Sequence, residues 1–107
     1  MAKTLTKREL AVTIADETDL PQREVMEVIQ KGLDHITDAL ANGQTVEFRN
    51  FGVFEPDVRK SRLGRNPNRP ERTVEIPRRV VAKFKPGKVM KERMRQLDPD
   101  KIEEEKR

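Results

Sequence analysis

Apolar positions recur at two different periods along this chain. Leu10, Ala11, Ile14 and Ala15 repeat at helical spacing, as do Val25, Ile29, Leu33, Ile36 and Leu40, with Val28 widening the second stripe. Thr6-Lys-Arg-Glu9 has the form of a capping box, with Thr6 as N-cap and Glu9 reaching back. The first helix is predicted to end near Thr18. Asp19-Leu20-Pro21 forms the joint, because proline is tolerated at a helix start. The second helix runs to about Ala41, where Asn42-Gly43 supplies a stop. Two amphipathic helices joined by a short turn make a helical hairpin. His35 lies beside the apolar stripe as an ordinary helix-face residue, and Met26 and Met90 read as packing residues.

From Gln44 the period changes. Thr45–Glu55 (TVEFRNFGVFE) is rich in β-branched and aromatic residues and turns at Arg49-Asn50. Phe48, Phe51 and Phe54 lie here, and Phe84 lies on the far side of a long basic stretch. The aromatic core is therefore placed at the base of a hairpin that projects away from it. Pro56 suggests an edge position or a bulge where the strand bends outward. The outgoing limb is read as 57–64 and the returning limb as 72–81. Gly64–Glu71 forms the tip, with Gly64, Asn66, Pro67 and Pro70 as turn formers. Pro86 is placed to open a third helix of about ten residues that stops before Asp98-Pro99. The last ten residues are charged and lack periodicity, so a disordered tail is expected over 98–107. Residues 1–97 are read as one domain.

Composition makes the core thin. Of 107 residues, 34% are hydrophobic and 39% charged, with no Trp or Tyr. Small chains of this kind often gain stability by association, so a dimer is favoured. There is no cysteine, and the single histidine rules out a multi-histidine metal cluster. Neither a signal-peptide pattern nor a membrane-length apolar run is visible, so a soluble, cytoplasmic protein is expected.

The net charge of +4 is unevenly distributed. Residues 1–57 carry six basic and eleven acidic side chains, whereas residues 58–93 carry thirteen basic and three acidic ones. Such a concentration of cations points to a polyanion met by one surface. A two-stranded ribbon with few apolar residues is marginal alone, and its cations repel one another. Both facts fit an arm that becomes ordered on phosphate, offering Arg59, Lys60, Arg62, Arg65, Arg69, Arg72, Arg78 and Arg79. The acidic surface of a partner protein would suit the same composition. Arg65-Asn66 supplies donors suited to a groove floor. Pro67, a rigid apolar residue without an N–H, is from spacing alone equally a wedge or a shaper of the turn.

The segment RNFGVFE (49–55), then RNP (65–67), then VVAKFKPGK (80–88) resembles the HU/integration host factor family of bacterial DNA-bending proteins. The resemblance spans about residues 4–94. It implies an α+β fold: an N-terminal helical hairpin, a three-stranded antiparallel sheet with a protruding β-ribbon arm, and a short C-terminal helix, assembled as an intertwined dimer. It implies that the two arms embrace double-stranded DNA, bent, nicked or flexible by preference, and that the tip proline, here Pro67, inserts between bases. Arg65 and Asn66 would lie beside it in the minor groove, and Arg59 and Arg62 match groove-lining arm positions. Lys85, Gly87 and Lys88 match a phosphate clamp at the start of the last helix. Phe51, Phe54 and Phe84 match the aromatic core of the dimer, and Lys7 a flanking phosphate contact. Three features depart from the family pattern. Asn68-Arg69-Pro70 stands where members have x-Thr-Gly, lengthening the tip by one residue and stiffening it. Glu55-Pro56-Asp57 is less basic and more kinked than the usual start of the arm. The acidic tail is longer than in the shortest members.

The leading expectation is a homodimeric, largely sequence-independent architectural protein of the nucleoid that bends or compacts DNA, with preference set by deformability. The alternatives are a sequence-preferring bender of the integration host factor type, acting as one subunit of a heterodimer, and a basic adaptor for RNA or an acidic protein. No phosphate loop or recognisable acid/base pair is present, so neither enzymatic activity nor a cofactor is expected. No small-molecule substrate and no membrane partner are expected either.

Overall fold

The computed structural model describes residues 4–106; residues 1–3 and 107, at the ends of the expected domain and tail, lie outside it. Helices α1 (Lys7–Thr18) and α2 (Gln22–Ala41) form the N-terminal hairpin. Thr6 caps α1 by accepting the Glu9 N–H at 3.2 Å, while the return bond expected from the Glu9 side chain does not form among the described residues. Asp19 ends α1 in the left-handed region at φ 59°, and Pro21 opens α2 two residues later. The hairpin closes on Ala11, Ala15 and Val25, with Ile14, Met26 and Ile29 packed around them. Small alanines let the two helices approach closely, but the cluster is far too small to hold a domain together.

Strands β1 (Val46–Phe48), β2 (Gly52–Arg59) and β5 (Arg79–Pro86) form an antiparallel sheet with β2 in the middle. Asn50, in the left-handed region at φ 68°, turns the chain between β1 and β2. Strands β3 (Arg62–Asn66) and β4 (Arg69–Ile76) form a separate two-stranded ribbon. Helix α3 (Lys88–Met94) and helix α4 (Pro99–Glu105) complete the chain.

Strand alternation sorts the sheet into two chemically distinct faces. Register pairs Val46 with Phe54, Phe54 with Phe84, Pro56 with Ala82 and Val58 with Val80, so one face is wholly apolar. The opposite face carries Glu55 opposite Lys83 and Arg59 opposite Arg79. The apolar face is only partly covered by the described residues: Val80 is 68% exposed and Phe84 38%. No described side chain larger than valine is fully buried.

The molecule is elongated, 58 × 38 × 30 Å. Its radius of gyration is 18.8 Å, against about 13 Å for a compact chain of this length. The ribbon accounts for the difference, since no described element outside it packs substantially on β3 or β4.

Several expectations change. Within the region read as tail, Pro99–Glu105 forms helix α4: Asp98 caps it by accepting the Asp100 N–H at 3.0 Å, and Pro99 occupies the first turn. An Asp-Pro helix start outweighs the lack of apolar periodicity. Pro86 does not open the third helix but closes β5, and α3 is seven residues long with Gly87 as N-cap. Pro56 sits in regular register opposite Ala82 with no bulge. Beyond Phe54, among the described residues, only β5 flanks β2, and a strand with a free edge tolerates proline.

Candidate nucleic-acid interface

The arm continues the sheet. Arg59 faces Arg79, and three residues further out Arg62 faces Ile76, three residues back along the returning limb. The register is therefore unbroken from Gly52↔Pro86 to Arg65↔Thr73, although the ladder is interrupted at 60–61 and 77–78. Pro77 has no N–H to contribute at the interruption. Arg59, Lys60, Arg78 and Arg79 crowd the same place, and like charges opposite one another weaken a ladder.

Beyond the interruption, Arg62 and Gly64 share a face with Val74 and Ile76, while Leu63 and Arg65 share the other with Thr73 and Glu75. Gly64 is not the turn former expected. It lies within β3, and a Cβ there would come within 2.8 Å of Ile76 Cδ1. The missing side chain lets Ile76 fold across the ribbon. Leu63 is 72% exposed.

The apex is tighter than the 64–71 tip read from sequence. Asn66 pairs with Arg69, so the turn itself is Pro67-Asn68. None of these residues is in the left-handed region, and proline in second place after asparagine suits a type I turn. That turn matches strand twist poorly. Next to it, β3 advances one residue (65 to 66) while β4 moves four (73 to 69), leaving 70–72 as extra length on the returning limb. The irregularity thus lies in β4, and position 70 is a strand position rather than part of the turn. Pro67 is exposed at the summit.

The other candidate residues fall in two places. Lys85 and Gly87 bracket the end of β5 and lead into Lys88, the first residue of α3. Lys85 is already paired with Glu55 at 2.9 Å. Gly87 donates its N–H to the Phe51 carbonyl at 2.8 Å, and a Cβ there would stand 2.7 Å from the Asn50 backbone. The glycine therefore serves close packing, and its N–H is not free for an anion. The first-turn N–H groups of α3 have no side-chain cap. Lys7 lies on the helical hairpin, where its ammonium donates to Gln30 Oε1 of α2. Arg59, Lys60, Arg62, Arg65, Arg69, Arg72 and Arg78 are exposed on or beside the arm.

The three phenylalanines assigned to a shared core do come together. Phe54 and Phe84 stack with ring centroids 4.7 Å apart, and Phe51 lies 5.7 Å from Phe84. Phe48 extends the group, edge-on to Phe51 at 6.3 Å. Phe48, read from sequence as part of the aromatic core at the hairpin's base but not among the family-implied dimer positions, lies two residues from Val46 on the same strand face. Sequence reasoning missed Glu55 as the partner of Lys85, because a diagonal cross-strand pair needs the register to be known.

An α+β body carrying a cationic two-stranded arm, with an incompletely covered phenylalanine face at the arm's root, defines an arm-bearing, polyanion-binding class of small protein. The chain belongs to the bacterial DNA-binding protein family: the model of the family described as "Bacterial DNA-binding protein" matches residues 5–95. "Probable DNA-binding protein HU" of Chlamydia trachomatis is 44% identical over 88 residues, covering 82% of this chain and 88% of that protein. "Integration host factor subunit beta" of Marinomonas sp. is 42% identical over 89 residues, 82% of this chain and 86% of that protein. Among solved structures, an Anabaena HU–DNA cocrystal structure aligns with a TM-score of 0.80 at 32% identity, covering 87% of this chain and all of that one. HU from Thermotoga maritima aligns with a TM-score of 0.59 at 30% identity, covering 84% of this chain and 98% of that one. The family is one of DNA-binding architectural proteins rather than enzymes. No described helix is long and apolar enough to cross a membrane.

Proposed function

We propose that a homodimer of this chain binds double-stranded DNA between its two arms and bends it, largely without regard to sequence. The incompletely covered phenylalanine face supports the dimer: Phe51 remains 49% exposed and Phe84 38%, and a second copy would cover the remainder. The arm's arginines then close on the phosphates from both sides, releasing counterions. Pro67 enters a base step and unstacks it, and the bent duplex gains contact with the body. HU and integration host factor are themselves among the proteins that define this minor-groove mode, so the mode comes from the family rather than from the geometry of the arm. Lys85, Lys88 and Lys7 would hold the flanking duplex once it is bent, with Lys85 exchanging Glu55 for phosphate. Such a protein works on the nucleoid, in the cytoplasm.

The observation that carries this reading is the register that runs from the sheet out to Arg65↔Thr73 and leaves Pro67 in the turn at the summit of a basic ribbon. It is tested by fluorescence energy transfer across an end-labelled duplex, with the purified chain and its Pro67→Ala variant, from low to high salt. The wild-type chain bends the duplex and loses affinity steeply with salt. The variant loses more bend than affinity. Equal bending by both removes the wedge role of Pro67, and no bending by the wild-type chain alone removes the self-sufficient homodimer.

A further inference from the structure

We propose that Ser61 is a phosphorylation site, served by a kinase that selects basic substrates, and that its phosphoserine holds the arm's own arginines away from DNA. The inference rests on the DNA-binding function above and adds a regulation to it.

Ser61 is the only serine in the sequence. It lies where the ladder is interrupted, between the end of β2 at Arg59 and the start of β3 at Arg62. The register carried across the gap sets it opposite Pro77, which has no N–H to offer. Ser61 is exposed and stands outside both strand pairings. Thr73, the other hydroxyl of the arm, is paired with Arg65 inside β4. A modifying enzyme needs an acceptor whose backbone can enter its cleft, and a segment outside the ladder opens at less cost than one within it. Arg59-Lys60 precede the serine directly and Arg62 follows it. Cations in that arrangement complement an acidic substrate cleft, the kind of charge pattern by which kinases choose.

The transfer is a simple exchange. Ser61 Oγ attacks the γ-phosphorus of a nucleoside triphosphate, the Oγ–P bond forms as the phosphoanhydride bond breaks, and the nucleoside diphosphate leaves. The hydroxyl proton passes to the kinase's general base.

The same neighbours decide what the product does. Strand alternation puts Ser61 on the face of Arg59, and Arg79 lies on that face diagonally across the ribbon, within reach of a long side chain. Phosphoserine brings about −1.5 to −2 charges and three acceptor oxygens. Arg59 and Arg79 repel while the serine is bare. Each can then donate paired N–H bonds to one phosphate. The root of the arm tightens, and two of its cations are withdrawn from the duplex. Phosphoserine and DNA phosphate thus compete for one pair of guanidinium groups.

The test uses the full purified chain, ATP and a kinase catalytic domain that selects arginine two residues before its acceptor. Mass spectrometry should find one phosphate per chain, on Ser61, and none on the Ser61→Ala variant. Untreated, that variant should bind and bend a nicked duplex as the wild-type chain does. The phosphorylated chain should bind about tenfold more weakly at low salt, with the slope of log affinity against log salt reduced by about 2 for each arm. Phosphatase treatment should restore both. In the free protein, amide exchange at residues 58–62 and 76–80 should slow on phosphorylation. No incorporation, or incorporation on a threonine in place of Ser61, overturns the proposal. So does a phosphorylated chain whose affinity and salt slope are unaltered. An untreated chain that binds no DNA is a different result: it removes the underlying function, while mass and amide exchange still decide whether Ser61 takes a phosphate and ties Arg59 to Arg79.

Discussion

Arg59 and Arg79 face each other across the ribbon at the last rung before the ladder is interrupted. Two cations at a directly opposed cross-strand position repel, and Lys60 and Arg78 stand immediately beyond them. The arm is therefore weakest where its charge is densest. A duplex laid along this collar would remove the repulsion that loosens it, which links phosphate binding to ordering of the arm. Replacing Arg79 with Gln should slow amide exchange at residues 58–62 and 76–80 in the free protein. The cross-strand change is worth about 0.2–1 kcal/mol. The same variant should bind DNA more weakly, with the slope of log affinity against log salt reduced by about 1. Faster exchange in the variant would contradict the repulsion.

Gly87 and Gly32 should respond to alanine in opposite directions. At Gly87 a Cβ meets the Asn50 backbone at 2.7 Å, while at Gly32, inside α2, nothing lies within 4 Å. Gly87→Ala forces β5 and α3 away from the β1–β2 turn and should destabilise by about 1–3 kcal/mol. Gly32→Ala removes backbone entropy from the unfolded chain and should stabilise by about 0.5–1 kcal/mol. Denaturant titration of the two variants side by side checks both signs.

Phe84 contacts both Phe54 and Phe51, so its loss opens the centre of the aromatic group. In the proposed dimer the Phe84→Ala change should cost about 3–5 kcal/mol. Because that cost falls on association, the midpoint of thermal unfolding should depend more strongly on protein concentration than in the wild-type chain. Sedimentation equilibrium should show a shift toward monomer. An unchanged dimer would place the interface elsewhere.

The Lys85–Glu55 pair is partly exposed, with Lys85 at 56% and Glu55 at 28%. An ion pair of that kind contributes about 0–1 kcal/mol to stability, so Glu55→Gln should leave unfolding almost unchanged. Freed of its carboxylate, Lys85 becomes available to phosphate, and DNA affinity at low salt should rise. The gain should fade as salt increases. Filter binding over a salt series reads both effects, and a fall in low-salt affinity would count against Lys85 as a phosphate contact.

The helical hairpin was legible in the chain because its signals are local. The Thr6 cap, the Asp19–Pro21 joint and the Asn42-Gly43 stop each act within one turn of backbone, and each stands where it was read. The change of period at Gln44 announced strands for the same reason. Gly64 was misread as a turn residue because its purpose is set by Ile76, twelve residues away across the ribbon. Asp98-Pro99 was passed over as tail because a short charged helix has no apolar periodicity to betray it. Gly87 was read as a phosphate ligand, although its N–H is committed to Phe51.

The linear order of residues determined the element types, the placement of positive charge and the presence of a proline at the end of a basic arm, since propensity, charge and turn chemistry act over a few residues. The tertiary structure alone decided what faces what. It set the single register that joins sheet and arm, the apolar face that holds Phe48, Phe54 and Phe84, and the amide of Asn66 turned back onto its own turn. Those relations depend on pairing between distant strands, where a shift of one residue sends every side chain to the opposite face.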